Sequence, residues 1–137
     1  MSPDDLARLH AAAFTQDRPW SAAEFASLLA LPGTLRLGDP RSALLARVTL
    51  DEAEVLTLAT DPAHQRQGLA SALLLRFHKD ARAQGAARAF LEVAEDNLPA
   101  RALYGAHGYA EAGRRRAYYA RKDAPAVAAL VLSRDLP

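Results

Sequence analysis

The sequence contains no cysteine, which excludes a disulfide scaffold, a Cys-based zinc site and a cysteine acyl-enzyme. No apolar run approaches the roughly 18 residues that a membrane helix needs, and the first residues lack a signal-peptide pattern. The expected compartment is therefore the cytoplasm, with no membrane partner. A large charge of one sign is also missing. A net charge of +1 argues against general affinity for nucleic acid, so no direct nucleic-acid partner is expected. His10, His64, His78 and His107 are scattered and form no metal-spaced pair, so each reads as a surface or packing residue and no metal is expected. Neither G-x-G-x-x-G nor G-x-x-x-x-G-K-[ST] occurs, so dinucleotide and P-loop readings lack their fingerprints.

What remains is ordinary globular material. Half of the 137 residues are hydrophobic and 24% are charged, which suits one domain over residues 1–137 with a single core. The order of elements reads as a mixed α/β sheet. Ser2-Pro3-Asp4-Asp5 has an N-cap, a proline at the first helical position and acids in the first turn. Ser21 and Glu24 form a second start as a capping box, flanked by Trp20 and Phe25 at staple positions. Closely spaced strands follow over Thr34–Leu37, Ala43–Leu50 and the segment from Ala53, and they imply antiparallel neighbours.

The centre of the chain is a strand, a loop and a helix. Val55–Thr60 is apolar, Asp61-Pro62 ends it, and His64-Gln65-Arg66-Gln67-Gly68 opens directly into a helix from Leu69 to about Gln84. A helix N-terminus entered through glycine offers unpaired amides and the positive end of the dipole, and Arg66 adds a charged donor. That is an anion site. Ala89–Val93 then reads as a buried strand parallel to Val55–Thr60, because a helix crosses over between them. Asn97 or Asp96 caps a further helix through Leu103 and Tyr104 to Gly108. Tyr109–Arg114 is a short strand, Tyr118-Tyr119 a loop or strand end, and Val127–Leu132 the last strand.

Two side chains stand out as chemistry. Glu92 is an acid inside an apolar strand, so it borders a cleft or has a partner, because an unpaired buried carboxylate is costly. Tyr104 lies two helical turns after Asn97. The plainer readings of the residues alone are a strand-end ion pair for Glu92 and core packing for Tyr104. Arg114-Arg115-Arg116 reads as a solvated basic face or an RNA or ribosome contact, and Ser71 as a helix-start residue.

Gln65-Arg66-Gln67-Gly68-Leu69-Ala70 resembles the Q/R-x-x-G-x-G/A loop of the GCN5-related N-acetyltransferases. Leu91-Glu92-Val93, Asn97, Ala102-Leu103-Tyr104 and His107-Gly108-Tyr109 resemble that family's L-E-V…N…A-x-x-L-Y…G-F/Y segment. Within the family, Glu54–Pro62, Arg115-Arg116-Ala117-Tyr118-Tyr119 and Pro19-Trp20-Ser21 are similar to the bacterial N-terminal alanine acetyltransferases of a small-subunit ribosomal protein. The resemblance covers Val55 to Tyr119 well and the first fifty residues loosely. Ala70 replaces the family's second glycine, and Val127-Ala128 stands where relatives often carry Glu-Asp.

The resemblance implies a family fold with N-terminal helices, antiparallel strands and a central parallel strand-helix-strand. It implies acetyl-CoA as cosubstrate. Leu58, Ala59 and Thr60 would offer backbone groups to its acetyl and pantetheine arm. Arg66, Gln67, Gly68, Leu69, Ala70 and Ser71 would wrap its diphosphate, and Asn97 would bind the pantetheine end. Glu92 would be the general base and Tyr104 the general acid, with direct transfer in a ternary complex. The implied acceptor is a protein N-terminus, such as that of an alanine-starting ribosomal protein, and the assembly a monomer or weak dimer. A small amine or lysine acceptor, and a non-catalytic acetyl-CoA-binding or ribosome-docking module, remain as alternatives. No second acid marks the sequence as equipped to strip a lysine.

Overall fold

A computed structural model describes residues 1–137. The capping signals act as read. Helix α1 (Pro3–Ala13) starts with Ser2 Oγ accepting from the Asp5 N–H and Asp5 accepting from the Ser2 N–H. Helix α2 (Ala22–Leu29) starts with the same reciprocal pair between Ser21 and Glu24. The Trp20 and Phe25 rings lie 5.5 Å apart across that start, which fixes the angle at which the chain enters the helix.

Three antiparallel strands follow: β1 (Thr34–Asp39), β2 (Ser42–Thr49) and β3 (Glu52–Thr60). Helix α3 (Leu69–Ala83) then crosses to β4 (Arg88–Ala94), which is parallel to β3. Helix α4 (Leu98–Ala106), β5 (Ala110–Arg121) and β6 (Ala124–Asp135) complete the chain. The sheet order is β1-β2-β3-β4-β6-β5, so β6 inserts between β4 and β5. The larger core lies on one face, where Leu74 and Phe77 of α3 and Tyr104 of α4 meet Val55, Leu91 and Leu130. The smaller core covers the other face, with Leu6, Leu9 and Phe25 packed on Ala43, Leu45 and Ala59.

Two irregularities shape the middle of this sheet. The β2–β3 register skips Leu56, since Leu45 faces Thr57 while Ala46 faces Val55. Val55 and Leu58, three residues apart, therefore both join the larger core, while Leu56 and Ala59 turn to the smaller one. The second irregularity is a parting of strands. β3 and β4 pair only from Glu52–Arg88 to Glu54–Phe90. Beyond that point each strand runs on without the other, and a seam opens toward their carboxyl ends.

One expectation needs correction. Tyr118-Tyr119 is neither a loop nor a separate strand end; it lies within β5, which runs unbroken from Ala110 to Arg121 against β6. The reason is register. Shifts between Glu111 and Gly113, Arg115 and Tyr119, and Tyr119 and Arg121 destroy the period-two pattern, and Ala117 sits at φ 50°. A strand with that many irregularities does not read as one strand.

Helix α3 is also tied to the start of β5. His78 Nε2 and the Tyr109 hydroxyl are 2.8 Å apart. Burial, then the charge of Arg134, pushes His78 from 6.5 down to about 4. An unfolded histidine takes its proton near 6.5, whereas the folded chain refuses it until about 4. Acid thus favours the unfolded state: this contribution is whole above pH 6.5 and fades as pH falls toward 4. Thermal melting should show a loss of roughly 1–3 kcal/mol across that window. His78→Gln should flatten that part of the profile, and an unchanged acid limb in the variant would remove His78 as its source.

Candidate active site

The seam between β3 and β4 opens into a cavity of about 450 Å³. Val55 to Leu58 form one side and Leu91 to Ala94 the other; α1 and the residues after it, from His10 to Trp20, close a third side. Residues at the carboxyl ends of parallel strands border such crevices because the crossover helix starts there.

Glu92, Asn97, Tyr104 and Leu58 all line this cavity. Glu92 shares the strand face of Phe90, opposite to the core-facing Ala89, Leu91 and Val93. Its side chain is 23% exposed and its Oε1 pairs with Arg115 Nη2 at 2.5 Å. Both readings of Glu92 therefore hold at once: it borders a cleft and it has a partner. Tyr104 enters from α4, and burial raises its phenol above the ordinary value. It stays neutral, a hydrogen-bond donor, across the whole physiological range. Its ring meets Tyr109 edge-on with centroids 5.7 Å apart, which fixes its orientation.

Asn97 is the N-cap of α4; its Oδ1 accepts from the Ala100 N–H at 3.2 Å. The side-chain amide group remains for a ligand. Ala59 is buried in the smaller core, and the Thr60 hydroxyl is 2.8 Å from Ser42 Oγ. Along this strand end it is the backbone that can be offered to a ligand.

The loop residues stand apart from the cavity. Arg66, Gln67 and Gly68 are exposed, with Arg66 at φ 62° and Gly68 at φ 76°. No side chain caps α3, and the first helical bond runs from Ala72 N–H to the Gly68 carbonyl at 3.0 Å. The amides of Leu69, Ala70 and Ser71 thus point out of the helix end unpaired. A Cβ built on Gly68 would meet nothing within 4 Å, so the space in front of this turn is open. Ser71 Oγ lies 2.7 Å from His107 Nε2, which ties the first turn of α3 to the end of α4. That role of His107 has no local signal in the sequence.

Further groups join the site with no local signal in the sequence. Arg115 reaches Glu92 across β6, the strand between them; its place among three arginines and in the Arg115–Tyr119 resemblance gives no sign of that partner. Glu54 is a second carboxylate near Glu92. Burial, then the Glu92 charge, raises it, while Arg115 and Arg47 oppose the shift. The expectation of a lone acid is corrected to this extent, although Glu54 does not line the cavity. His10 packs in an aromatic cluster, stacked on Trp20 at 4.9 Å, with its Nδ1 accepting from the Trp20 N–H.

Residues 10–109 match the acetyltransferase (GNAT) family. The [ribosomal protein bS18]-alanine N-acetyltransferase of Escherichia coli is 43% identical over 79 residues, covering 58% of this chain and 53% of that protein. The N-alpha-acetyltransferase RimI of Mycobacterium tuberculosis is 37% identical over 123 residues, covering 82% of this chain and 75% of that protein. The matches thus span about half the length of the first relative and three quarters of the second. The crystal structure of the Escherichia coli ribosomal-protein-S18-alanine N-acetyltransferase superposes with a TM-score of 0.87 at 31% identity, over 98% of this chain and 87% of that one.

Proposed function

The chain belongs to the acetyltransferase (GNAT) family, and on that premise we propose that it transfers the acetyl group of acetyl-CoA to the N-terminal α-amine of a protein. The observation that carries this reading is the seam itself: Glu92 and Tyr104 line it, and the uncapped first turn of α3 lies at the same end of the sheet. The relatives acting on an alanine N-terminus extend the reading to an alanine-starting acceptor such as a ribosomal protein.

The residues fit acetyl-CoA. The open space before Gly68 is one that a side chain would fill, and the free amides of Leu69, Ala70 and Ser71 with Arg66 suit a diphosphate. The edge of β3 beyond Glu54 has no strand partner toward β4, so Leu58, Ala59 and Thr60 offer backbone groups to an extended arm. Asn97 holds its far end. When bound, acetyl-CoA supplies an acyl carbon activated as a thioester.

The Glu92 carboxylate accepts the proton that the acceptor ammonium must lose before its nitrogen can bond the acyl carbon. Arg115 pairs with Oε1 and fixes the carboxylate. Tyr104 donates a hydrogen bond to the sulfur as the carbon–sulfur bond breaks. Burial holds the phenol above its ordinary value, so Tyr104 enters the step protonated and, as general acid, stabilises or protonates the leaving sulfur.

A free α-amine has a pKa of about 7.7–8.0 against about 10.4 for lysine, so at neutral pH it is uncharged roughly several hundred times more often. Of the carboxylates that line the cavity, Asp17 and Asp96 are both held by Arg121, so Glu92 alone serves as base, which suits the former. Peptides beginning with Ala should be acetylated fastest, those with Ser or Thr more slowly. The same peptides with a blocked N-terminus and an internal Lys should be poor substrates. Faster acetylation of the blocked, lysine-bearing peptide, or of a polyamine, would move the assignment to a lysine or small-amine acceptor.

A further inference from the structure

At the tip of the β5–β6 hairpin, Arg121 is the most enclosed of the ion-paired arginines, with its side chain 10% exposed. It holds two carboxylates at once. Its Nε and Nη2 meet Asp96 at 2.7 and 2.8 Å, and its Nη1 meets Asp17 at 3.2 Å. Asp96 immediately precedes Asn97, the cap of α4. Asp17 belongs to the segment between α1 and α2. All three residues line the cavity, so the cluster bridges its walls. The other ties of that segment are local: Arg18 to Glu24 at 2.7 Å and the Trp20 N–H to His10. Asp17 is what fastens it to the far wall.

We infer that Arg121 is a positioning residue for the acceptor, locking the segment from Phe14 to Trp20 and the turn at Asp96 into one rigid mouth. The inference rests on the acetyltransferase reading and adds to it which group shapes the acceptor side. The physical reason is the cost of ordering. A bidentate guanidinium held in a low-exposure site fixes two walls that would otherwise be ordered by the incoming peptide at the expense of its affinity. The reacting groups Glu92 and Tyr104 sit on elements held by the sheet and the larger core, so the chemical step is insulated from the mouth.

The test is steady-state kinetics with an alanine-starting peptide at saturating acetyl-CoA. Arg121→Met should raise the acceptor KM by about tenfold while kcat falls by less than about threefold. Arg121→Lys, which restores a charge without the fork, should recover part of the loss. Asp17→Asn should raise KM in the wild-type background and add little to Arg121→Met, because both act through one contact. Full multiplication of the two effects would mean that Asp17 touches the acceptor itself and would overturn the inference. So would an unchanged KM in Arg121→Met, or a loss confined to kcat. Hydrogen exchange of the amides of residues 15–18 reads the lock independently of turnover. Exchange should quicken in Arg121→Met and Asp17→Asn; unchanged exchange in both defeats the lock. Absence of turnover by wild-type protein with any N-terminal peptide would instead defeat the function.

Discussion

Glu92→Gln should lower kcat by roughly 10²–10⁴, the usual span for loss of a general base. The substitution keeps the shape of the side chain and its place against Arg115 but removes the proton acceptor. The loss should be largest at low pH, where more of the acceptor amine is protonated and must be stripped by the enzyme. The competing explanation, a purely structural ion pair, makes a different forecast. Arg115 is more than half exposed in that pair, so losing the charge should change stability little, and turnover should follow stability. A nearly unchanged Tm with collapsed kcat identifies the base; unchanged kcat would leave Glu92 as a surface-pairing residue. Tyr104→Phe is the companion variant. It preserves the edge-on packing on Tyr109 and removes only the hydroxyl. Turnover should slow while acetyl-CoA affinity holds. Wild-type rates in both variants would take the catalytic roles from this pair.

Acetyl-CoA binding should disappear in the double variant Arg66→Ala, Gly68→Val. Two effects combine. A branched side chain fills the open space before the first turn of α3, where the structure leaves nothing within 4 Å. Loss of Arg66 removes the charged donor beside the unpaired amides. Gly68 also sits at φ 76°, so any side chain there costs about 1–2 kcal/mol of folding stability. Gly68→Ala is the gentler variant that separates blockage from unfolding: it should weaken binding with a modest drop in Tm. Calorimetry on the folded double variant decides the matter. Binding at full strength would place the diphosphate elsewhere.

The helices were legible in the sequence because their determinants are local. Ser2 with Asp5, Ser21 with Glu24, and Asn97 before Leu98-Pro99 each satisfy end groups within one turn, so the residues that specify a boundary sit at the boundary. The loop at Gly68 and the crossover from β3 to β4 were legible for the same reason, since a glycine of positive φ and a helix between two apolar strands are patterns of consecutive residues. Glu92 and Tyr104 are legible as an acid in an apolar strand and a tyrosine two helical turns past a capped start.

What local pattern cannot carry is which distant residues meet. The seam exists because β3 and β4 part after Glu54 and Phe90, and nothing in either strand announces where pairing stops. The extra residue at Leu56 changes which side chains face which core, and it shows only in the register with β2. Arg115 finds Glu92 because β6 returns between β4 and β5. Arg121 and Asp17 are 104 positions apart. Caps, turns and periodicity act over one to four neighbours, so the sequence by itself determined the elements and the open helix start. The cavity, the partner of the carboxylate and the clamp at its mouth depend on how the elements pack across the sheet, and only the tertiary structure decided them.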